Sequence, residues 1–137
     1  MREMILSVKH KYATDILRGK KKYELRKVCI DFGGEPYVTA HLYATPTIGV
    51  VGKCKLYADY LLVEDDYSPV SLDLISITQA QLEKYLRGKT GYLYTVADPV
   101  RYDAPIILPG GGPQMYSWAT KRELAVIEKA NKEAGSL

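Results

Sequence analysis

The chain has 137 residues, of which 47% are hydrophobic and 26% are charged, and its formal net charge at pH 7 is +3. This length suits one domain with its own core and is short for two, so we predict a single domain over residues 1–137. No stretch approaches the about 18 apolar residues of a membrane span, and the first apolar stretch is too short for a signal peptide. We therefore expect a cytoplasmic protein that does not enter membranes.

The cysteines and histidines are too few and too scattered for a metal site. Cys29 and Cys54 are expected to be two half-buried thiols rather than a disulfide. His10 is expected in solvent at a helix start, and His41 is expected as a hydrogen-bonded residue of the core. We therefore expect no metal and no other cofactor.

The first third of the chain predicts a strand, a helix and a second strand. Residues 4–8 (MILSV) form a short apolar run that is typical of a strand. Residues 11–19 (KYATDILRG) carry apolar side chains at helical spacing, and Gly19 can end the helix in a left-handed turn. Residues 22–28 (KYELRKV) alternate as a half-buried strand does, with Tyr23 and Leu25 on one face and the charged side chains on the other, namely Lys22, Glu24 and Arg26.

The rest of the chain predicts further strands and two helices. Residues 37–45 and 48–63 are rich in β-branched residues and tyrosine and read as two strands joined by a turn. Residues 76–88 predict a helix, with Thr78 as N-cap and Gln81 three residues later. A strand is predicted at 90–100, followed by the segment YDAPIIL (102–108), a glycine turn at 109–113 and a C-terminal helix at about 120–134. Many short strands with a few helices indicate an α+β fold built on a small mixed β-barrel or curled sheet.

A basic turn is the strongest charge feature. Residues 18–27 carry six basic side chains against one acid, Glu24, a local charge of +5, so the rest of the chain sums to −2. Such a turn is often solvated, but it also suits the edge of a site for an anion. Glu24 and Arg26 share one strand face and are close enough to pair with each other or to hold one ligand. The residues alone leave both interpretations open.

The motifs resemble those of the ASCH domains, a PUA-like family. The segment ILSVKHKYATDILRGKKKYELRK (5–27) is similar to the opening of that family, and its signature Gly-x-Lys-x-x-Glu-x-Arg falls on Gly19, Lys21, Glu24 and Arg26. LYATPTIGVVGKCKL and GYLYTVADPVRYDAPIIL resemble the second and third blocks. GPQMYSW approximates the closing Pro-Gln-Ser-Trp, with two residues inserted before Ser117. The resemblance spans roughly residues 5–118.

This resemblance implies a PUA-like β-barrel with helices covering its ends and a cleft for RNA or a nucleotide-like ligand. On that basis Lys21 and Arg26 engage phosphate, and Glu24 orients Arg26 or accepts a hydrogen bond from a base or ribose. Further candidate binding residues are Lys9, Tyr12, Ser117 and Trp118, with Tyr12 or Trp118 as a stacking face.

Two alternatives remain beside an RNA-binding module. Some family members resemble ribonucleases that need no metal, and another branch hydrolyses acetylated cytidine with a threonine at the position of Glu24. In an enzyme, Lys21 would stabilise the developing anion and Glu24 would be the general base, although Glu24 does not match the threonine of the hydrolases. The third possibility is an interaction domain with a vestigial cleft.

Overall fold

The structure is a computed structural model that describes residues 2–46, 48–58, 61–63 and 72–135. The strands in these ranges are β1 (Met4–Lys9), β2 (Tyr23–Arg26), β3 (Tyr37–Thr45), β4 (Gly49–Tyr57), β5 (Leu61–Val63), β6 (Gly91–Ile106) and β7 (Tyr116–Trp118). The helices are α1 (His10–Leu17), α2 (Gln79–Leu86) and α3 (Lys121–Ala134), and a short 3-10 helix covers Leu72–Ile75.

The strands form one mixed sheet that curls into a half-barrel. Their order is β2-β6-β4-β3-β1-β7, and β5 also pairs with β6. The pair β1 and β3 is parallel, and the other pairs are antiparallel. This arrangement confirms the predicted α+β class with a curled mixed sheet.

Both faces of the sheet are packed, because neighbouring strand residues point to opposite sides. On the concave face, Leu6 of β1 packs with Ala13 and Ile16 of α1 in the main core. On the convex face, Ile5 packs with Ile127 of α3 in a second core. A third, smaller core lies where α2 and the 3-10 helix cover β2 and β6, and its buried residues are Ile75, Leu82, Leu86 and Leu93.

Several helices and strands begin or end where their local sequence predicted. β3 covers residues 37–45 as expected from its β-branched and aromatic content. Both later helices begin with a capping box, in which Thr78 pairs with Gln81 and Thr120 with Glu123. Because a capping box satisfies the backbone N–H groups of the N-cap and of the third helical residue, it fixes the first turn of each helix. No helix in the described ranges is long and apolar enough to cross a membrane.

Two strand predictions were wrong at points of irregular pairing. Residues 48–63 are not one strand, since β4 ends at Tyr57 and β5 starts at Leu61, with 59–60 outside the described residues. The strand predicted at 90–100 does not end at residue 100 but continues to Ile106 as β6. Ala97 of β6 pairs with Lys55 of β4, and Val100 pairs with Lys53. Between these two pairs, β6 therefore contains one residue more than β4. The extra residue forms a β-bulge, which accommodates Pro99 and the left-handed Asp98 without ending the strand.

The histidines lie where the sequence placed them, but the thiols do not. His10 is exposed and His41 is buried, which confirms both expectations. The Nε2 atom of His41 lies 2.7 Å from Glu3 Oε1, and its Nδ1 atom lies 3.1 Å from the hydroxyl of Tyr102. Cys54 is buried and Cys29 is exposed, so neither is half-buried as predicted.

Candidate functional site

A basic cleft opens beside β2. Its volume is about 870 Å³, and its walls come from the end of β1, the start of α1, the 3-10 helix and the C-terminal half of α2. Among the lining residues that the structure describes, one is acidic, Glu24, and seven are basic: Lys9, Lys21, Arg26, Lys27, Lys84, Arg87 and Lys89. A concave surface with this excess of one sign attracts anions.

Glu24 is the centre of a buried charged triad at the base of this cleft. Its side chain is 6% exposed, and one carboxylate oxygen accepts a hydrogen bond from Arg26 Nε at 2.8 Å. The other carboxylate oxygen lies 3.3 Å from the ammonium of Lys21. The alternation of β2 explains this placement, because Glu24 and Arg26 leave the strand on the face opposite Tyr23 and Leu25. In β2 the charged face is therefore the one directed into the cleft.

Lys21 is more deeply buried than a lysine in a basic turn usually is. Its side chain is 3% exposed, whereas the neighbouring Lys20 and Lys22 are both exposed. Its ammonium donates to the carbonyl of Tyr23 at 2.6 Å and to the carbonyl of Ile75 at 3.0 Å. With Glu24, these acceptors engage all three donor hydrogens of an ammonium. Lys21 therefore ties β2 to the 3-10 helix and has no spare donor for a phosphate.

The charges of the triad hold Glu24 in its ionised form. Burial by itself would raise the pKa of the Glu24 carboxyl, but the adjacent Arg26 and Lys21 outweigh burial and hold that pKa below its usual value. Burial lowers the pKa of Lys21, and the attraction of Glu24 opposes this shift. A carboxylate whose pKa is lowered and whose two oxygens already contact cations is poorly suited to act as a general base.

Arg26 combines a fixed side with a free side. Its Nη2 atom donates to the carbonyl of Ser7 at 2.8 Å, and its Nε and Nη2 atoms both contact Glu24. Ser7 is itself held by the loop before β7, since its N–H donates to the carbonyl of Met115 at 2.9 Å and its hydroxyl donates to the carbonyl of Pro113. Within the part of the chain that the structure describes, no bond engages Nη1 of Arg26. This nitrogen is therefore available to a ligand in the cleft.

The outer wall of the cleft was missed by the sequence analysis. Residues 76–88 were interpreted only as a capped helix, but the Tyr85 side chain of this segment is part of the cleft wall. Lys84, Arg87 and Lys89, at the end of α2 and just after it, are all exposed on the same wall. The cluster KYLRGK (84–89) was the available sequence signal, but its position opposite β2 depends on tertiary structure.

Two aromatic rings in the cleft are each close to a cation. The ring centre of Tyr12, on α1, lies 5.5 Å from the ammonium of Lys21, and the ring centre of Tyr85 lies 4.7 Å from that of Lys27. Lys9, at the N-cap of α1, is exposed at the cleft. The predicted residues Lys9 and Tyr12 are thus brought together with the signature residues.

Ser117 and Trp118 are not brought into the cleft. They belong to β7, where they pair with Ile5 and Met4 near the start of β1, whereas the cleft adjoins the end of β1. Trp118 packs against the main core, and the guanidinium of Arg2 lies 3.8 Å from its ring centre. The prediction that these residues lie across from the signature is therefore wrong. Of the closing segment, Gln114 lines the cleft instead.

The curled mixed sheet, its covering helices and the basic cleft beside β2 define an α+β fold. In particular, the chain is similar to the solved structure of ASCH from Zymomonas mobilis, at 20% identity and a TM-score of 0.73, over 93% of this chain and 94% of that chain. Two ASCH mutants from the same organism also match with a TM-score of 0.73.

The tyrosine-to-phenylalanine mutant has 21% identity over 94% of this chain and 98% of its own. The serine-to-alanine mutant has 19% identity over 93% of this chain and 94% of its own. No protein-family model and no curated protein matches the chain. The similarity of structure confirms the ASCH fold that the motifs predicted.

Proposed function

We propose that this chain is a single ASCH domain whose basic cleft binds single-stranded RNA or a nucleotide-like part of it. The observation that carries the proposal is the charge of the cleft, in which seven basic residues and one acid surround about 870 Å³. This volume lies within the roughly 300–1,000 Å³ typical of small-molecule sites. It therefore suits a nucleotide, whose phosphate needs cations and whose base needs an apolar or aromatic face.

The triad and the outer wall have different roles in this proposal. Arg26, fixed by Glu24 and Ser7, offers Nη1 as a positioned donor at the base of the cleft. Lys84, Arg87 and Lys89 are exposed, so they attract and contact the phosphates of the strand. Tyr12 and Tyr85 are the candidate stacking rings, which is a sequence-tolerant way to hold bases. Lys21 positions the 3-10 helix rather than a phosphate.

The outer wall is the best place to test binding, because changes there leave the buried triad intact. We would compare the wild type with Lys84→Ala/Lys89→Ala, using a labelled single-stranded RNA in the presence of chelator. The matched control is Lys121→Ala/Lys129→Ala, which removes two exposed cations from α3, outside the cleft lining. Each lost phosphate contact reduces the slope of log K against log salt concentration by about 0.7 in magnitude.

We expect the cleft variant to bind more weakly, with a salt slope smaller by up to about 1.4, and the control to bind like the wild type. Equal affinity and equal slope in all three proteins would contradict the proposal. RNA cleavage, read from the same samples, would instead favour a metal-independent ribonuclease. The state of Glu24 argues against that activity with Glu24 as the base, since its carboxylate is already engaged by two cations.

A further inference from the structure

A second basic and aromatic surface lies on the convex face of the sheet. α3 covers part of this face, where Ile127 packs with Tyr43 and Val50. Beyond α3, towards the start of β3 and the end of β4, the same face carries five half-buried residues. We call this surface the open face, and its residues are Tyr37, Thr39, Lys53, Lys55 and Tyr57.

The pairing of β3 with β4 places these side chains together. Tyr37 lies opposite Tyr57, and Thr39 lies opposite Lys55. Lys53 lies opposite His41, whose pKa it helps to lower, so the two side chains are close to each other. The intervening residues of both strands point into the main core, namely Val38, Ala40, Cys54 and Leu56. The open face is therefore one continuous surface turned away from that core.

The two tyrosines of the open face form an aromatic platform with a cation beside it. Their ring centres are 5.4 Å apart and their planes are inclined by 39°. The ammonium of Lys55 lies 5.0 Å from the ring centre of Tyr37. Lys55 also pairs with Asp98 at 3.2 Å, but water reaches this pair, since the two side chains are 39% and 67% exposed. Exposed pairs of this kind contribute little to stability, so a phosphate can replace Asp98 as the partner of Lys55.

We propose that the open face is a second contact surface for single-stranded nucleic acid, separate from the cleft. Bases would stack on Tyr37 and Tyr57, and Lys53 and Lys55 would contact the adjacent phosphates. Exposed aromatic rings on a sheet with flanking cations are a general means of holding unpaired bases. The same chemistry is unsuited to a duplex, whose bases are already stacked on one another.

The open face and the cleft lie at opposite ends of β3. Thr45, the last residue of β3, lines the cleft, whereas Tyr37 is the first residue of the strand. Eight steps along a strand at about 3.3 Å each separate them by roughly 26 Å. Lys53 is nearer to the cleft, since its strand partner His41 is four steps, or roughly 13 Å, from Thr45. A short oligonucleotide therefore cannot reach the Tyr37–Tyr57 pair and the cleft together, whereas a longer one can gain affinity by contacting both.

The experiment compares labelled oligouridylates of about 4 and about 16 nucleotides, which bracket common site sizes for single strands. We would measure the affinity and salt dependence of the wild type, Lys53→Ala/Lys55→Ala and Tyr37→Leu/Tyr57→Leu. Tyr37→Phe/Tyr57→Phe keeps the rings and removes only the hydroxyls. Lys121→Ala/Lys129→Ala is again the charge control, and thermal unfolding confirms that each variant is folded.

For the longer strand, we expect the salt slope of the lysine variant to be smaller by up to about 1.4. The affinity of the leucine variant should be at least about 5-fold lower than that of the wild type. The phenylalanine variant should bind like the wild type. If the tyrosines serve only as a stabilising cross-strand pair, the leucine variant loses thermal stability and the lysine variant keeps full affinity. That result would overturn the proposal, as would a wild type that binds neither oligonucleotide.

Measuring Lys84→Ala/Lys89→Ala with the same two oligonucleotides separates this proposal from the proposed function of the cleft. If the cleft does not bind RNA, Lys84→Ala/Lys89→Ala has no effect while the open-face variants still weaken binding of the longer strand. If only the cleft binds RNA, the open-face variants match the wild type for both lengths. If both surfaces bind RNA, the cleft variant and the open-face variants should each weaken binding of the longer strand. Their losses of binding free energy should then add.

Discussion

Replacing Glu24 by glutamine is expected to destabilise the protein strongly. The carboxylate of Glu24 is the shared anion of Lys21 and Arg26, whose side chains are 3% and 13% exposed. Glutamine has the same shape but is neutral, so it leaves two cations in a region with little water. Its amide nitrogen is also a donor and would face a donor of Lys21 or Arg26. Breaking a buried ion pair by removing one partner typically costs about 3–5 kcal/mol.

Urea unfolding at neutral pH would measure this effect. At about 3 kcal/mol, the loss also lowers the thermal midpoint by roughly 10 °C for a chain of this size. Glu128→Gln is the matched control, because Glu128 pairs with Lys132 on the surface of α3 and the change should cost less than about 1 kcal/mol. A Glu24→Gln variant as stable as this control would refute the view that Glu24 compensates buried charge.

The pH dependence of Glu24→Gln gives an independent check. The pKa of Glu24 is lowered in the folded protein, so its contribution is complete above the unfolded value of 4.5 and is lost as the pH falls through the lower folded value. We therefore expect the stability difference between the wild type and Glu24→Gln to shrink on acidification below about pH 4.5. A difference that is constant over this window would show that the effect is not due to charge.

Three further predictions concern the sheet and its core. Gly52→Ala should destabilise the fold by about 1–3 kcal/mol in urea unfolding, because the added Cβ would clash with the carbonyl oxygen of Val100. Tyr94→Phe should cost about 1–3 kcal/mol, because the buried N–H of Ile30 loses the hydroxyl that accepts its hydrogen bond at 2.7 Å. Burial lowers the pKa of His41, so stability should fall as the pH drops below 6.5 through the folded value, and His41→Gln should reduce this slope.

The sequence predicted those helices and strands whose start or extent depends on a few neighbouring residues. The N-cap chemistry of α2 and α3 is contained within four residues of sequence, and the β-branched run of β3 is similarly local. The continuity of β6 was not predictable, because it depends on a bulge against β4, whose paired residues are more than 40 positions away. An Asp-Pro pair usually indicates a break, and only the strand alongside it makes the bulge possible.

For the site, the sequence identified which residues carry charge but not which of them are buried. Lys20, Lys21 and Lys22 are chemically identical in the printed sequence, and only Lys21 turns inward. One acceptor that makes this possible is the carbonyl of Ile75, 54 residues away. The motif resemblance placed Lys21 among the site residues, yet assigned it to phosphate binding, because a motif carries no information on burial.

The buried cations at the base of the cleft and the exposed cations of its wall would act differently on a ligand. Lys21 and Arg26 share Glu24, so the triad has a net charge of only about +1 when Glu24 is ionised. The exposed cations of the wall provide most of the attraction, but salt screens exposed charges and any polyanion can use them. Nη1 of Arg26 is different, because its guanidinium is held on its other side by Glu24 and Ser7 and has little freedom to lose on binding. We therefore infer that affinity depends on the wall, whereas preference among ligands depends on whether a ligand presents an acceptor to this nitrogen.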